Sequence, residues 1–196
     1  MAVDRERVAH LVRELLQAIG EDPDRPGLRA TPERVAETYA EFFAGVGEDA
    51  AAPLAHTISV SRGPAPDTLP SGAVMLRDIR FRSVCEHHLL PFVGRAHVAY
   101  LPGEQVIGLG ALPRVIDILA ARPQVQERLG EQIADAIDGS IDTRGVLVVL
   151  DAEHECVTMR GGRQPSTSTV TIAARGEFRE PAARAEVIAL LTGGAA

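Results

Sequence analysis

Residues 146–150 read Val146-Leu147-Val148-Val149-Leu150, and shortly after them the chain reads His154-Glu155-Cys156. An unbroken apolar run of this kind fits a strand buried on both faces, because an alternating pattern is needed only when one face meets water. Such a strand needs neighbours, and the sequence supplies them. Strands are expected over 74–84, with a phase slip near Asp78 that predicts a bulge, and over 94–101. Residues 155–159 and 167–174 read as two more. Between the two strand groups lie two helical patterns. One covers 112–121, with Val115, Ile118 and Leu119 on one side. Pro123 opens the other, with Val125, Leu129, Ile133 and Ile137 as its stripe. A last helix is expected over 181–191. Strand pair, helix pair and strand pair together predict an α+β architecture: an antiparallel sheet with a helix pair on one face.

Upstream, Val8, Leu11, Val12, Leu15, Leu16 and Ile19 recur at helical spacing until Gly20. Thr31-Pro32-Glu33-Arg34 then reads as an N-cap, a proline at the first helical position and an acidic first turn. Val35, Tyr39, Phe42 and Phe43 follow as the buried stripe. The expected organisation is a helical region over 1–50, a proline-rich linker over 51–72 and a main domain over 73–196.

The chain has 196 residues, 45% of them hydrophobic, with no Trp and only 4% aromatics. Its core must therefore rest on Val, Ile, Leu and Ala. A net charge of −7 argues against a nucleic-acid partner, which would require a broad basic field. No apolar run is long enough to span a membrane, and the charged N-terminus lacks the apolar stretch of a signal peptide. A cytoplasmic protein is expected. In a reducing compartment Cys85 and Cys156 are more plausibly metal ligands or catalytic groups than a disulfide.

Chemistry concentrates in two segments, Cys85-Glu86-His87-His88 and His154-Glu155-Cys156. Together they hold both cysteines and three of the six histidines. Thiolate and imidazole are the donors zinc prefers. His154 and Cys156 would share a face if the strand continued through them. His87 and His88 would diverge, so one of the two is expected to face the metal. Either segment alone also fits a buried cysteine with satisfied histidines, and a structural zinc site competes with a catalytic one. Three ligands with an open fourth position and spare histidines nearby would make the catalytic arrangement. Met159-Arg160-Gly161-Gly162-Arg163 adds close backbone approach and two guanidinium groups suited to phosphate. A solvated turn fits that segment equally well.

Several long motifs, in order, resemble those of the GTP cyclohydrolase I family. They are the segment from Ser83 to Phe92, the segment from Arg122 to Leu129, His154-Glu155-Cys156 running on to Met159-Arg160-Gly161, and the helix start from Ala30 to Val35. The resemblance covers nearly the whole chain. It implies a T-fold whose subunits join their sheets into a barrel, assembled as a homo-oligomer, a toroidal decamer. It implies Zn2+ held by Cys85, His88 and Cys156, with His87 and His154 moving protons during opening of the guanine imidazole ring. Substrate contacts fall to Glu127, Gln126, Arg34, Arg114 and Arg160. A carboxylate at Glu127 offers two acceptors to the N1–H and exocyclic amine of guanine. The implied reaction converts GTP to formate and 7,8-dihydroneopterin triphosphate.

One segment departs from the family pattern. Gly108-Leu109-Gly110-Ala111-Leu112 has Gly110 and Ala111 where the family carries a phosphate-binding Ser-Lys. This opens an alternative: a paralogue acting on a guanine nucleotide with fewer phosphates, or a related purine, and stopping at the ring-opened formamide. A non-catalytic zinc T-fold binding protein is the reading from another class.

Overall fold

The computed structural model describes residues 3–59, 72–160 and 164–192. The chain forms two compact units, Met1–Glu48 and Asp49–Ala196. Within the first unit, α1 (Arg5–Ala18) starts at Asp4, whose carboxylate accepts a hydrogen bond from the Arg7 backbone N–H at 3.0 Å. Gly20, at φ 88°, turns the chain out of the helix. α2 (Thr31–Phe42) begins one residue earlier than expected: Thr31 is already helical, and Ala30 caps the helix without a side-chain bond. Pro32 lies in the first turn, where a missing N–H costs nothing. No residue of α1 is buried, and Leu11, Leu15 and Ile19 of its expected apolar stripe are all exposed.

The second unit is built on a five-stranded sheet. Its strands are β2 (Val74–Cys85), β3 (Pro91–Pro102), β5 (Pro123–Gln124), β6 (Thr143–His154) and β7 (Ser168–Gly176), in the order β5-β2-β3-β6-β7. All pairings are antiparallel except the short β2–β5 contact. The helices α3 (Ala111–Ala120) and α4 (Gln126–Asp138) cover one face. There Ile116, Leu129 and Ile133 meet Phe92, Tyr100, Val148 and Leu150. A last helix, α6 (Pro181–Thr192), covers part of the other face, over Ala99, Leu101, Leu147 and Val149. The apolar run of β6 is thereby explained: Val146, Val148 and Leu150 serve one core, Leu147 and Val149 the other. Each large side chain so buried contributes about 1.5–3 kcal/mol.

Several sequence expectations need correction. The segment expected as linker holds a 3-10 turn with Leu54 fully buried, and a strand, β1 (Thr57–Ser59), that pairs with β4 (Gln105–Ile107). Residues 60–71 of that segment lie outside the described residues. Pro123 does not open a helix. It lies in β5, at the edge of the sheet, where a residue without an N–H is tolerated. Residues 155–158 are not a strand but a single helical turn, α5 (Glu155–Thr158). The last rung of the β3–β6 ladder pairs Phe92 with His154, and β3 extends no further than Pro91. With no neighbour left, the chain coils.

Two backbone details shape the sheet beside the site. The expected bulge is present: the β2–β3 register shifts between Leu76 and Ile79, and Asp78 takes φ 58° while its carboxylate accepts a bond from Arg95 at 2.8 Å. Gly94 lets β3 and β6 close up. A Cβ there would fall 2.2 Å from the Asp151 carbonyl oxygen.

Candidate metal and purine site

The β2–β3 hairpin ends in a tight loop. The Leu89 N–H donates to the Cys85 carbonyl and the Cys85 N–H to the Leu90 carbonyl, both at 2.8 Å. Closing it puts Leu89 at φ 53°, a left-handed conformation that costs a β- or γ-branched residue energy and that local strain of this sort often marks at functional sites. Three further ties hold the end of β2 and its loop to α3, α4 and the segment between them. The Glu86 N–H donates to the Gln124 carbonyl at 2.9 Å. The Arg128 guanidinium grips the Glu86 carboxylate through two hydrogen bonds, one of them 3.0 Å long, and holds its pKa below the usual carboxylate range. The buried Ser83 hydroxyl donates to the Ala120 carbonyl at 2.7 Å.

On the neighbouring strand, β6 delivers His154 at its end and α5 turns Cys156 back towards the loop. The Thr158 hydroxyl donates to the His154 carbonyl at 3.2 Å and closes that turn. The strand-face argument for pairing His154 with Cys156 therefore fails, although the two segments do converge. Ligand atoms of Cys85, His88 and Cys156 all lie within 4.8 Å of one another. His88, not His87, joins the two thiols. The two imidazoles stand 77° apart, and His87 Nδ1 lies 3.9 Å from Cys85 Sγ.

Two thiols and an imidazole are a donor set suited to a borderline-soft divalent ion. Burial, and next the adjacent Cys85, push the Cys156 thiol above its ordinary pKa. A cation between the two sulfurs would relieve that repulsion by stabilising both thiolates. The residues present fit a metal held by three protein ligands.

Around the cluster, the His154 ring stacks on Phe92 with centroids 4.5 Å apart and planes within 4°. Its Nε2 lies 2.8 Å from Gln126 Oε1. Burial holds the His154 pKa below its ordinary value, against a smaller opposing pull from the Glu127 carboxylate. Glu127 itself is exposed in the first turn of α4. Arg160 is close enough to Cys156 to favour its thiolate. Arg114 stands exposed in the first turn of α3, and among the described residues it takes no part in the hydrogen bonds that build the cluster. Arg34 belongs to α2 of the N-terminal unit. Gly161, Gly162 and Arg163 lie outside the described residues.

Sequence reasoning overlooked the supports: Glu86 with Arg128, the Gln124 carbonyl, Ser83 and the Phe92 ring. Glu86 was discoverable, since a carboxylate placed between metal-type residues invites a search for its cation. The others depend on contacts between segments far apart in the chain.

Comparison with known proteins identifies the family. The family model for GTP cyclohydrolase I matches residues 8–192. The GTP cyclohydrolase 1 of Leifsonia xyli subsp. xyli is 65% identical over 193 residues, covering 98% of both chains. Those of Clostridioides difficile and Bacillus subtilis are each 50% identical, the first covering 97% of both chains and the second 95%. With a metal-type cluster, a carboxylate-bearing helix start beside it and matches of this extent, the chain belongs to the GTP cyclohydrolase I family of hydrolases.

Proposed function

We propose that the protein opens the imidazole ring of GTP by hydrolysis, releasing formate and forming 7,8-dihydroneopterin triphosphate. The convergence of Cys85, His88 and Cys156 beside His154 and Glu127, in a chain of this family, carries the reading. Cys85, His88 and Cys156 would hold zinc, which when bound supplies Lewis acidity and lowers the pKa of water towards about 7.

The chain's own groups divide the remaining work. Glu127 accepts hydrogen bonds from the N1–H and exocyclic amine of guanine and so orients the base. His154, whose charged form burial disfavours, accepts a proton from the water that attacks the imidazole carbon and returns it to the ring nitrogen that leaves, with His87 as its counterpart on the loop. Arg160 and Arg114 neutralise the triphosphate. The assembly we propose is a T-fold homo-oligomer, a toroidal decamer. Exposed Leu11, Leu15 and Ile19 on α1, and exposed Val170 and Ile172 on the edge strand β7, support burial against further subunits.

One observation favours a second reading, in which a less phosphorylated guanine nucleotide is the substrate and the ring-opened formamide the product. The phosphate-side helix α3 opens at Gly110 without a side-chain cap, and Ala111 follows it. Incubating zinc-loaded protein with GTP, GDP, GMP and guanosine, with products read by mass spectrometry, separates the two. Formate and dihydroneopterin triphosphate from GTP support the first reading. A formamide product, or preferred turnover of GMP, supports the second, and binding without turnover defeats both.

A further inference from the structure

Gln126 is 1% exposed, and its amide can be oriented from its neighbours alone. One end of the amide lies 3.1 Å from the Leu150 carbonyl oxygen, 2.7 Å from the Thr169 carbonyl oxygen and 3.2 Å from the Thr171 hydroxyl. Carbonyl oxygens only accept, so that end must be the NH2 group, and its two protons are used inside the chain. The reversed amide would set an oxygen against two oxygens and leave buried acceptors unpaired. The other end is therefore the Oε1 oxygen, and it faces His154 Nε2 at 2.8 Å. An amide oxygen cannot donate. His154 must carry its proton on Nε2, and a neutral ring then keeps its lone pair on Nδ1. Phe92, stacked on the imidazole, fixes the plane in which that lone pair lies.

We infer that Gln126 is a positioning residue: it locks His154 in the Nε2–H tautomer and makes Nδ1 the atom that exchanges protons with the substrate. The inference rests on the proposed role of His154 in proton transfer. It differs from the substrate contact that family resemblance suggests for Gln126, whose donors are occupied by β6 and β7. Glu127, next in the chain and exposed, is left to face the purine. The same side chain ties the start of α4 to both strands, so the purine-facing carboxylate and the imidazole share one support.

Two measurements on the zinc-loaded full chain test this. Neutron diffraction from the wild-type protein locates the His154 proton directly; density on Nε2 and a bare Nδ1 is expected, and a proton on Nδ1 with Nε2 bare overturns the inference. Gln126→Met keeps the length of the side chain and removes the lock. Its kcat should fall by at least about tenfold and by no more than the roughly 10²–10⁴ attributable to a positioned acid-base group, with KM for GTP changed less than about threefold and zinc content unchanged. A rise in KM at constant kcat would make Gln126 a substrate contact and overturn the assignment. Should Gln126→Met fail to fold, the neutron map decides alone. Failure of the wild-type protein to turn over any guanine nucleotide would sink the proposed function instead, and the proton position on His154 would still be read.

Discussion

Two regions of the second unit, the metal-type cluster and the start of α3, are built in opposite ways. At the ends of β2 and β6 nearly every functional group is held by another: Glu86 by Arg128 and Gln124, His154 by Gln126 and Phe92, Ser83 by the carbonyl that ends α3. At the start of α3 the backbone stands bare. Gly110 caps the helix with no side chain, and a Cβ added there would meet nothing within 4 Å. A densely supported site can be damaged by removing a single group, whereas an open one leaves room for gains. Substitutions on the two sides should therefore differ in sign as well as size.

The strongest test removes a ligand. Cys156→Ala leaves two of three donors, and elemental analysis should find the metal lost, with turnover at background. Retention of about one zinc per subunit would show that Cys156 lies outside the metal site. Next in size, His154→Ala and His87→Ala should each lower kcat by roughly 10²–10⁴-fold while zinc stays near normal. An emptied metal site in His154→Ala would reassign that residue as a ligand and weaken the contrast between cluster and support.

Glu127→Gln probes the exposed rim of the supported side. It replaces an acceptor by a donor facing guanine's own donors, a mismatch of about 1–3 kcal/mol. Affinity for guanine nucleotides measured by calorimetry should drop by roughly ten- to a hundredfold, with adenine nucleotides poor throughout; unchanged guanine affinity would show that Glu127 does not contact the base. The smallest effect, and the one of opposite sign, belongs to the bare side. Gly110→Ser with Ala111→Lys adds a hydrogen bond and a charge to phosphate. Since each charge-assisted contact is worth about 1.5–3 kcal/mol, GTP should gain about tenfold or more in kcat/KM over guanosine. Gly110 already has helical angles, so the serine fits without strain. A wild-type protein with strong GTP preference, indifferent to the double change, would mean that another cation serves the phosphates and that this side is not deficient.

Much of this molecule was readable in advance because the information is local. The β6 core run, the bulge at Asp78 and the stop at Gly20 follow from periodicity and from what single residues permit in φ and ψ. Local reading failed where a neighbour decided the outcome. Nothing in Glu155-Cys156-Val157-Thr158 forbids a strand; the segment coils because β3 runs out opposite it. Pro123 looks like a helix start until the free edge of β2 captures it as a strand. Thr57, Ile58 and Ser59 read as linker until Gln105, Val106 and Ile107 pair with them.

The same division runs through the site. Sequence alone determined that Cys85, His87, His88, His154 and Cys156 are donors of metal-binding type gathered in two short segments, because donor chemistry belongs to the residue itself. The tertiary structure brings the His88 imidazole to the thiols, which residue type by itself left open, and it alone decided which amide end of Gln126 meets His154 and that Arg128 anchors the loop carrying Glu86. Those outcomes depend on distances of a few ångströms between segments separated along the chain, and a hydrogen bond's direction is set only once donor and acceptor face each other.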